Sequence, residues 1–304
     1  MIVVRIKGGL GNQMFEYAMA RKLQLELGID RLALDTTVVQ QDELRNFSLH
    51  HFCLCEDVEM IDYGATGIPF RIRGEIAKRL VSYFVAGRQE DVAIRREKKL
   101  EKLFYLLGIV QKDHCAGTTS HFLLRFHRNI YMNGWFQEAK EIEPIRDILL
   151  RDFKIVECMP EKIQDMERRI TAEESVCVHI RRGDYVNNTQ FGVCTEAYYK
   201  AAMRAMSERL DHPVFYVFSD DIDDVKRMNL DFPVIYEDRS DYDYESLYLM
   251  TKCSHFIMSN STFSWWGQFL SEKEGKIVMA PNRWYNDGFG EATQYLDGWI
   301  LFEG

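Results

Sequence analysis

The sequence has no excess of positive charge. It holds 38 Lys and Arg against 47 Asp and Glu, which gives a net charge of −9. A protein that binds nucleic acid broadly needs a basic surface, so this balance argues against such a partner. The negative charge is unevenly distributed along the chain, because the segment from Arg71 to Lys112 contains 11 Lys/Arg and only 5 Asp/Glu. This segment is interpreted either as a solvated surface or as a basic surface for an anionic partner or membrane.

Paired cysteines and long apolar runs are also missing. The 7 cysteines are scattered and none stands in a Cys-x-x-Cys motif, which predicts free thiols in a reducing compartment. No segment approaches the roughly 18 apolar residues of a membrane span. The first residues, Met1 to Gly9, follow a strand pattern at once and lack the regions of a signal peptide. We therefore expect a cytoplasmic protein, with peripheral contact at the inner membrane face left open.

Strand and helix patterns alternate along most of the chain. An apolar strand, a glycine turn and a helical pattern open it, and a second strand ends at Asp35. In the second half, five apolar strand patterns between Val176 and Ala280 are separated by helical patterns. This spacing predicts α/β domains with doubly wound parallel sheets. A chain of 304 residues favours two such domains, which we place at 1–157 and 158–304.

The basic segment falls in a long helical pattern. Residues 73–107 are predicted to be helical, and apolar positions such as Leu103 and Leu107 alternate there with basic ones such as Lys99 and Lys102. The pattern is typical of an amphipathic packing helix. It also fits a basic face close to a lipid-linked substrate.

Three predicted strands of the second half end in polar clusters. Ligands of open parallel sheets bind beyond the carboxyl ends of the strands. Two adjacent arginines and a hydroxyl-rich helix start at that edge suit a diphosphate. The clusters are Arg181, Arg182 and Asp184; Ser219, Asp220 and Asp221; and Ser259, Asn260, Ser261, Thr262 and Ser264.

Each cluster has a plainer interpretation as well. Ser219 and Asp220 together are typical of a helix N-cap. Asp184 could simply pair with Arg182, and His179 could be a core histidine in its strand. The arginine pair is harder to explain without an acceptor, because a strand end seldom carries two adjacent cations.

The glycine turn near the start has two interpretations of its own. Gly9 and Gly11 match part of a dinucleotide fingerprint, with Asp35 where a ribose-binding acid would stand. Met14 occupies the place of the third glycine, so the turn could equally serve packing alone. The side-chain amides of Asn12 and Gln13 favour a ligand at this turn.

Three motifs together resemble the α-1,2-fucosyltransferases of glycosyltransferase family 11. They are Gly8-Gly9-Leu10-Gly11-Asn12-Gln13-Met14-Phe15, His179-Ile180-Arg181-Arg182-Gly183-Asp184-Tyr185 and Ser259-Asn260-Ser261-Thr262-Phe263-Ser264-Trp265-Trp266, and Phe218-Ser219-Asp220-Asp221 fits as well. The resemblance implies a GT-B-like fold of two Rossmann-like domains facing across a cleft. It also implies GDP-L-fucose as the donor, inversion at the anomeric carbon, no metal and no further cofactor.

The resemblance also implies roles for single residues. Arg181 and Arg182 would hold the β-phosphate, and His179 and Glu245 would lie at the guanine. Arg181 would also stabilise the leaving GDP. Inversion by one displacement needs a base for the acceptor hydroxyl: Asp184 is the candidate, Glu196 is the alternative, and a loose transition state with weak base assistance is the third possibility. The donor-binding set implied in this way is Asn12, Gln13, His179, Arg181, Arg182, Ser219, Asp220, Glu245, Ser261, Thr262 and Ser264.

The sequence supports three hypotheses about function. The leading one transfers fucose to the 2-hydroxyl of a β-galactoside, on a galactose-terminated oligosaccharide that could be lipid-linked. The second is a nicotinamide-dependent oxidoreductase, which rests on the Gly9–Gly11 turn and Asp35. The third is a non-catalytic nucleotide or glycan binder with the same fold.

Overall fold

The computed structural model describes residues 1–62, 67–113, 121–186, 188–286 and 292–304. The chain forms two units. The first comprises Met1–Val156 and Gly288–Gln294, and the second comprises Glu157–Asp287 and Tyr295–Gly304. The predicted division at 157/158 differs from this one at Gly288–Gln294, which groups with the first unit although it comes late in the chain. A hydrogen bond of 3.0 Å from Ala139 N to Thr293 O connects this late segment to the first unit.

The first unit is built on a five-stranded parallel sheet in the order β3-β2-β1-β5-β4. Its strands are β1 (Ile2–Arg5), β2 (Leu32–Asp35), β3 (Val58–Ile61), β4 (Ile109–Lys112) and β5 (Ile130–Gly134). The central strand β1 is fully apolar up to Val4, and it pairs with β2 on one side and β5 on the other. A strand buried on both faces needs this continuous apolar run.

Helix α1 (Leu10–Leu27) follows β1 through the glycine turn. It begins at Leu10, directly after Gly9, whereas the sequence pattern predicts a start at Gln13. Gly8 has φ +71°, and a Cβ there would lie 2.8 Å from Asn12 Nδ2. The turn therefore requires glycine at this position. The helix ends at Gly28, which takes the left-handed conformation that closes many helices.

The single predicted helix over 73–107 is wrong in one respect, because the structure has two. Helix α3 (Ile68–Phe84) and helix α4 (Glu90–Leu106) are separated by a short turn. Gly87 lies in this turn with φ +69°, a conformation that does not continue a helix. Each helix buries its own stripe, with Phe70 and Ala77 on α3 and Ala93 and Phe104 on α4.

The second unit carries a six-stranded parallel sheet in the order β11-β10-β9-β6-β7-β8. Its strands are β6 (Ser175–Ile180), β7 (Val214–Ser219), β8 (Val234–Tyr236), β9 (His255–Ile257), β10 (Val278–Pro281) and β11 (Ile300–Phe302). Strand β6 is buried throughout and pairs with β7 and β9. The predicted class of two parallel-sheet α/β domains is confirmed.

The remaining helices cover the sheets or connect their strands. They are α2 (Thr37–Gln40), α5 (His121–Leu124), α6 (Ala139–Ile142), α7 (Arg146–Asp152), α8 (Glu161–Ala172), α9 (Glu196–Ser207), α10 (Ile222–Val225), α11 (Asp243–Lys252) and α12 (Thr262–Leu270). Within the described ranges, none of the helices has both the length and the apolar character of a membrane span. The six cysteines outside the gaps are free thiols, and Cys115 lies outside the described residues.

Candidate active site

The polar clusters of the second unit lie at one edge of its sheet. Strand β6 stands between β7 and β9, and Ile180 at its end is in register with Ser219. Because all three strands are parallel, the segments that follow them leave the sheet on the same side. Two contacts join these segments directly: Arg182 N donates to Asp220 Oδ1 at 2.8 Å, and the Tyr185 hydroxyl lies 3.5 Å from Asn260 O.

Arg181 is held at this edge by two carboxylates and a ring. Its Nη2 donates to Asp184 Oδ1 at 2.5 Å, and its Nη1 lies 3.1 Å from Asp220 Oδ2. The guanidinium carbon stands 5.2 Å from the centre of the Tyr185 ring, within cation–π range. The side chain is 16% exposed, so the cation has a fixed orientation and still reaches solvent.

Arg182 turns to a different partner. Its Nε donates to a carboxylate oxygen of Asp224 on α10, and Arg227 contacts the other oxygen. Hydrogen bonds from Arg182 and Arg227 lower the pKa of Asp224, so this carboxyl is held in its charged form. The pairing of Asp184 with Arg182 that the sequence suggested is therefore corrected: Asp184 pairs with Arg181. The sequence analysis missed Asp224, because nothing in the helical spacing of α10 indicates a contact with a residue 42 positions earlier.

His179 is a neutral histidine beneath this charged edge. It is 3% exposed, and its Nδ1 lies 2.8 Å from the hydroxyl of Ser259 at the end of β9. Burial, and then the positive charge of Arg181, lower the pKa of His179 to about 3. The ring therefore adds no charge to the edge near neutral pH, and its contact with Ser259 connects two neighbouring strand ends.

The hydroxyl cluster after β9 is largely buried at the start of α12. Helix α12 begins at Thr262, directly after Ser261, and Ser261 is 5% exposed. The Ser264 hydroxyl is buried without a hydrogen-bond partner in the described part of the chain. A buried unpartnered hydroxyl in the first turn of a helix is available to an anion that enters there. Trp265 and Trp266 are fully buried in the core.

Asn260 contributes to the site by positioning its loops. Its Nδ2 donates to the carbonyl oxygens of Phe191, at 3.0 Å, and Trp284, at 2.8 Å. These bonds connect the segments after β6 and β10 to the start of α12. Sequence analysis placed Asn260 in the polar cluster but gave it no such function, since both acceptors are backbone atoms far away in the chain.

Ser219 and Asp220 do not cap a helix as the plainer interpretation predicted. Asp221 is the N-cap of α10, and its side chain accepts from Asp224 N at 2.9 Å. Ser219 Oγ accepts from Asp221 N at 3.1 Å. Asp220 is thereby left to contact both Arg181 and Arg182, which it orients.

Glu245 lies buried at the start of α11. It is 1% exposed, and its Oε2 accepts from the backbone amides of Asp241, at 2.8 Å, and Tyr242, at 3.4 Å. This is the capping-box arrangement. Its assignment to guanine stays a prediction. Glu196, the alternative base, stands at the start of α9 and pairs with Lys200 at 2.9 Å.

The predicted residues of the glycine turn are engaged within the first unit. Gln13 is fully buried; its Nε2 donates to the Gly8 and Asn46 carbonyls, and its Oε1 accepts from Ser48 N at 3.0 Å. Asn12 Oδ1 accepts from Gln137 Nε2 at 3.0 Å. These contacts hold the turn in place, and the donor-binding assignments of both residues stay predictions.

The acid that the oxidoreductase hypothesis requires is not accessible. Asp35 is fully buried, where it lies 3.6 Å from Arg5 Nε and accepts from Thr37 N at 3.1 Å. A carboxylate that recognises a ribose must reach the hydroxyls of the ligand. The burial of Asp35 therefore removes the strongest support for that hypothesis. Within the described ranges, no group of three or more His, Cys, Asp or Glu side chains could hold a metal ion.

Comparisons with known proteins identify the family of this chain. The family model described as Glycosyl transferase family 11 matches residues 1–303. The O-antigen biosynthesis glycosyltransferase WbnK of Escherichia coli is 29% identical over 97% of this chain and 98% of its own. An Alpha-1,2-colitosyltransferase of Escherichia coli is 27% identical over 94% and 92%. Galactoside alpha-(1,2)-fucosyltransferase 1 of Leontopithecus chrysomelas is 28% identical over 51% and 48%.

Solved structures extend the likeness to the fold. Fucosyltransferase NodZ from Bradyrhizobium superposes with a TM-score of 0.52 at 15% identity, over 88% of this chain and 91% of that one. Arabidopsis thaliana FUT1 in complex with GDP gives a TM-score of 0.52 at 12% identity, over 93% and 71%. At such identities the likeness shows the fold alone, and it confirms the GT-B-like class predicted from the sequence. With the family match over nearly its full length, the chain belongs to glycosyl transferase family 11.

Proposed function

We propose that the protein transfers L-fucose from GDP-L-fucose to the 2-hydroxyl of a β-galactoside in a glycan, with inversion to an α-1,2 linkage. The observation that carries this proposal is the pair Arg181 and Arg182, fixed at the sheet edge beside the start of α12. Two relatives are an α-1,2-colitosyltransferase and a galactoside α-(1,2)-fucosyltransferase, and two of the similar solved structures are fucosyltransferase NodZ and Arabidopsis thaliana FUT1 in complex with GDP.

The diphosphate is the part of the donor that this edge suits best. Arg181 reaches solvent with its orientation fixed by Asp220, and the first turn of α12 presents backbone amides and the Ser264 hydroxyl. Each charge-assisted hydrogen bond to a phosphate would contribute about 1.5–3 kcal/mol. Cations placed in advance at the leaving diphosphate stabilise the charge that develops as the glycosidic bond breaks. A metal ion is not needed for that purpose, and we propose that transfer proceeds without one.

Asp184 can have one role in the site without donor and another when the donor is bound. Its carboxylate pairs with Arg181 at 2.5 Å and is 55% exposed, so it can move without disturbing the core. A phosphate that binds Arg181 competes with this carboxylate for the same cation. We propose that donor binding releases Asp184, which then accepts the proton of the acceptor hydroxyl during inversion.

Replacement of Asp184 by Asn tests that assignment. We expect kcat for transfer to fall by about 10²–10⁴-fold, the usual contribution of a general base, and donor affinity to rise, because the side chain of Asn no longer competes for Arg181. Glu196→Gln is the matched control, since it removes the alternative base on α9. If Glu196→Gln reduces kcat and Asp184→Asn does not, the base has been assigned to the wrong carboxylate.

A second candidate is transfer of colitose, because the α-1,2-colitosyltransferase matches almost the whole chain and the galactoside fucosyltransferase about half of it. Colitose is fucose without its 3-hydroxyl. A site that hydrogen-bonds a hydroxyl strongly rejects the analogue that lacks it, whereas an apolar pocket discriminates weakly. The two donors can therefore be separated by their relative kcat/KM.

One experiment distinguishes these functions. The protein is incubated with GDP-fucose or GDP-colitose, a panel of galactose-terminated oligosaccharides, and with or without EDTA, and the product linkage is determined. We expect an α-1,2-fucoside and no effect of EDTA. Preferred use of GDP-colitose would favour the second candidate. Binding of both nucleotide sugars without transfer or hydrolysis would indicate a non-catalytic binder, and loss of transfer in EDTA would refute the metal-free mechanism.

A further inference from the structure

We propose that the first unit docks reversibly on an anionic lipid bilayer through one surface, which consists of the exposed faces of α3 and α4 and the segment from α5 to Arg128. We refer to it as the basic surface. The proposal does not depend on the identity of the donor. It rests on the charge of this surface, on its exposed apolar side chains and on the way in which the two are interspersed.

Charge is the first observation. Among the described residues of 67–128, ten Lys or Arg are exposed and only two acidic residues, Glu75 and Asp91, are exposed. The whole chain carries a net charge of −9, so this surface opposes the general balance of the protein. A basic residue near an anionic membrane contributes about 1 kcal/mol. A handful of them is enough for reversible binding that weakens with salt.

Exposed large apolar side chains are the second observation. Ile68 on α3 is 72% exposed, Leu106 on α4 is 60% exposed, and Phe126 after α5 is 73% exposed. Phe122 and Phe126 lie with their ring centres 6.1 Å apart and face solvent together. Side chains of this kind seldom stand in groups on a surface that has no partner. They are suited to insertion at the boundary between headgroups and acyl chains.

The three segments form a single surface. Helices α3 and α4 pack against each other, and Arg96 Nη1 on α4 donates to Phe84 O at the end of α3 at 2.9 Å. Helix α4 in turn packs against α5. Arg73 Nε donates to Leu107 O at 2.9 Å, which connects the start of α3 to the end of α4. The basic and apolar side chains are therefore carried by elements that pack directly against one another.

The mixture of basic and apolar residues favours a lipid surface over a protein partner or nucleic acid. The core of a protein–protein interface is depleted in charge, and lysine is among the residues it excludes. Here Lys99 and Lys102 flank the exposed Leu103 and Leu106 on one helix face. Nucleic acid would bind the cations but would leave the isoleucine, leucine and phenylalanine side chains unexplained. Long basic side chains beside shallow apolar ones are typical of interfacial membrane helices.

Vesicle sedimentation tests the proposal. The full chain is mixed with vesicles of phosphatidylcholine alone or of phosphatidylcholine with phosphatidylglycerol, at low salt and at about 0.5 M salt, where the Debye length falls below 5 Å. We expect the protein to sediment with the anionic vesicles only, and to be released by salt. No binding to anionic vesicles at low salt would overturn the proposal.

Variants show whether this surface is responsible. Lys98→Glu, Lys99→Glu and Lys102→Glu together should reduce binding at least tenfold. The matched control, Arg168→Glu, Arg209→Glu and Lys273→Glu, makes the same charge change at exposed positions of the second unit and should bind anionic vesicles nearly as well as the wild type. Equal losses in both triple variants would indicate non-specific attraction and overturn the proposal.

A variant of the apolar side chains, a folding check and a test for self-association complete the experiment. Leu106→Ser with Phe126→Ser should weaken vesicle binding and leave turnover of a water-soluble acceptor unchanged, because neither residue belongs to the strand-end site. Circular dichroism checks that each variant is folded. Sedimentation equilibrium is run on the wild type without lipid; a stable dimer that these two serine substitutions dissociate would show that a second copy covers the surface, which would also overturn the proposal.

Discussion

The strand ends of the two units carry similar residue types but differ in what surrounds them. At the edge of the second unit, Arg181 and Arg182 are partly exposed and are oriented by carboxylates that themselves reach solvent. At the edge of the first unit, Gln13 and Asp35 are fully buried and bonded to their own loops. Burial therefore separates a polar strand end whose side chains can reach a ligand from one whose side chains are bonded to their own loops.

Other buried ionisable side chains of the first unit are also paired within the protein. Glu16 is fully buried, and burial raises its pKa well above the usual value although Lys7 N donates to its Oε2 at 2.9 Å. Lys112 and Glu138 lie 3.5 Å apart with almost no exposure, and burial raises the pKa of Glu138. Ionisable groups in such positions hold neighbouring strand ends in place, because a buried polar group must find its partner within the protein.

The largest expected effect comes from the exposed edge. Arg181→Ala should lower kcat/KM for transfer by at least about 10²-fold, comparable to removal of one donor that stabilises a developing charge. The protein should remain folded, since the side chain contacts Asp184, Asp220 and Tyr185 and lies outside the apolar core. Arg227→Ala is the control: this residue pairs with Asp224 but is 71% exposed. Near-normal activity of Arg181→Ala would contradict the view that the exposed edge of the second unit, unlike the buried edge of the first, binds the donor.

Acid sensitivity provides the next test. His179 has a pKa of about 3 in the folded protein, compared with 6.5 for the free group. Between these values the unfolded chain binds the additional proton, so the contribution of neutral His179 is fully present above pH 6.5 and is lost as the pH falls towards 3. The loss should be about 1.4 kcal/mol per pH unit.

Urea unfolding at several pH values measures this loss. His179→Gln keeps a polar group near Ser259 and should flatten the dependence on pH between 6.5 and 3. His212→Gln, at a position that is 96% exposed, should leave it unchanged. Identical pH profiles for wild type and His179→Gln would show that the buried histidine is not responsible.

The smallest expected effect comes from the glycine turn of the first unit. Gly8→Ala places a Cβ 2.8 Å from Asn12 Nδ2 in a backbone with φ +71°. We expect a loss of about 1–2 kcal/mol in the free energy of unfolding, the cost of a left-handed residue with a side chain. Gly9→Ala is the control, because its Cβ meets only Arg45 Cδ, at 3.8 Å. Equal losses in the two variants would contradict the structural role of this turn.

The sequence predicts the elements of the second unit more accurately than those of the first. The sequence pattern predicts a strand over 234–236 and a helix over 262–270, and β8 and α12 begin and end at these residues. In the first unit β3 was missed, since Val58–Ile61 is only half-buried and shows no clear pattern. Two residues separate strand β4 from the end of α4, and the sequence analysis assigns no strand beyond the helix predicted to end at residue 107.

The sequence predicts where the candidate site lies, but it does not predict which side chains form ion pairs there. The positions of Arg181, Arg182 and the Ser261–Ser264 segment follow from strand order, which the alternation of elements reveals. The preference of Asp184 for Arg181, and of Arg182 for Asp224, depends on side-chain directions after the strand ends. The burial of Asp35 was likewise hidden, because its partner Arg5 belongs to a neighbouring strand.

Thermal unfolding with ligands tests the central claim most directly, namely that the exposed edge of the second unit binds a nucleotide diphosphate sugar. A ligand present at 100 times its Kd stabilises a folded protein by about 2.7 kcal/mol. We predict that GDP-fucose raises the Tm of the wild type, that NADH does not, and that Arg181→Ala abolishes the shift. A shift with NADH and none with GDP-fucose, or a full GDP-fucose shift in Arg181→Ala, would contradict the account.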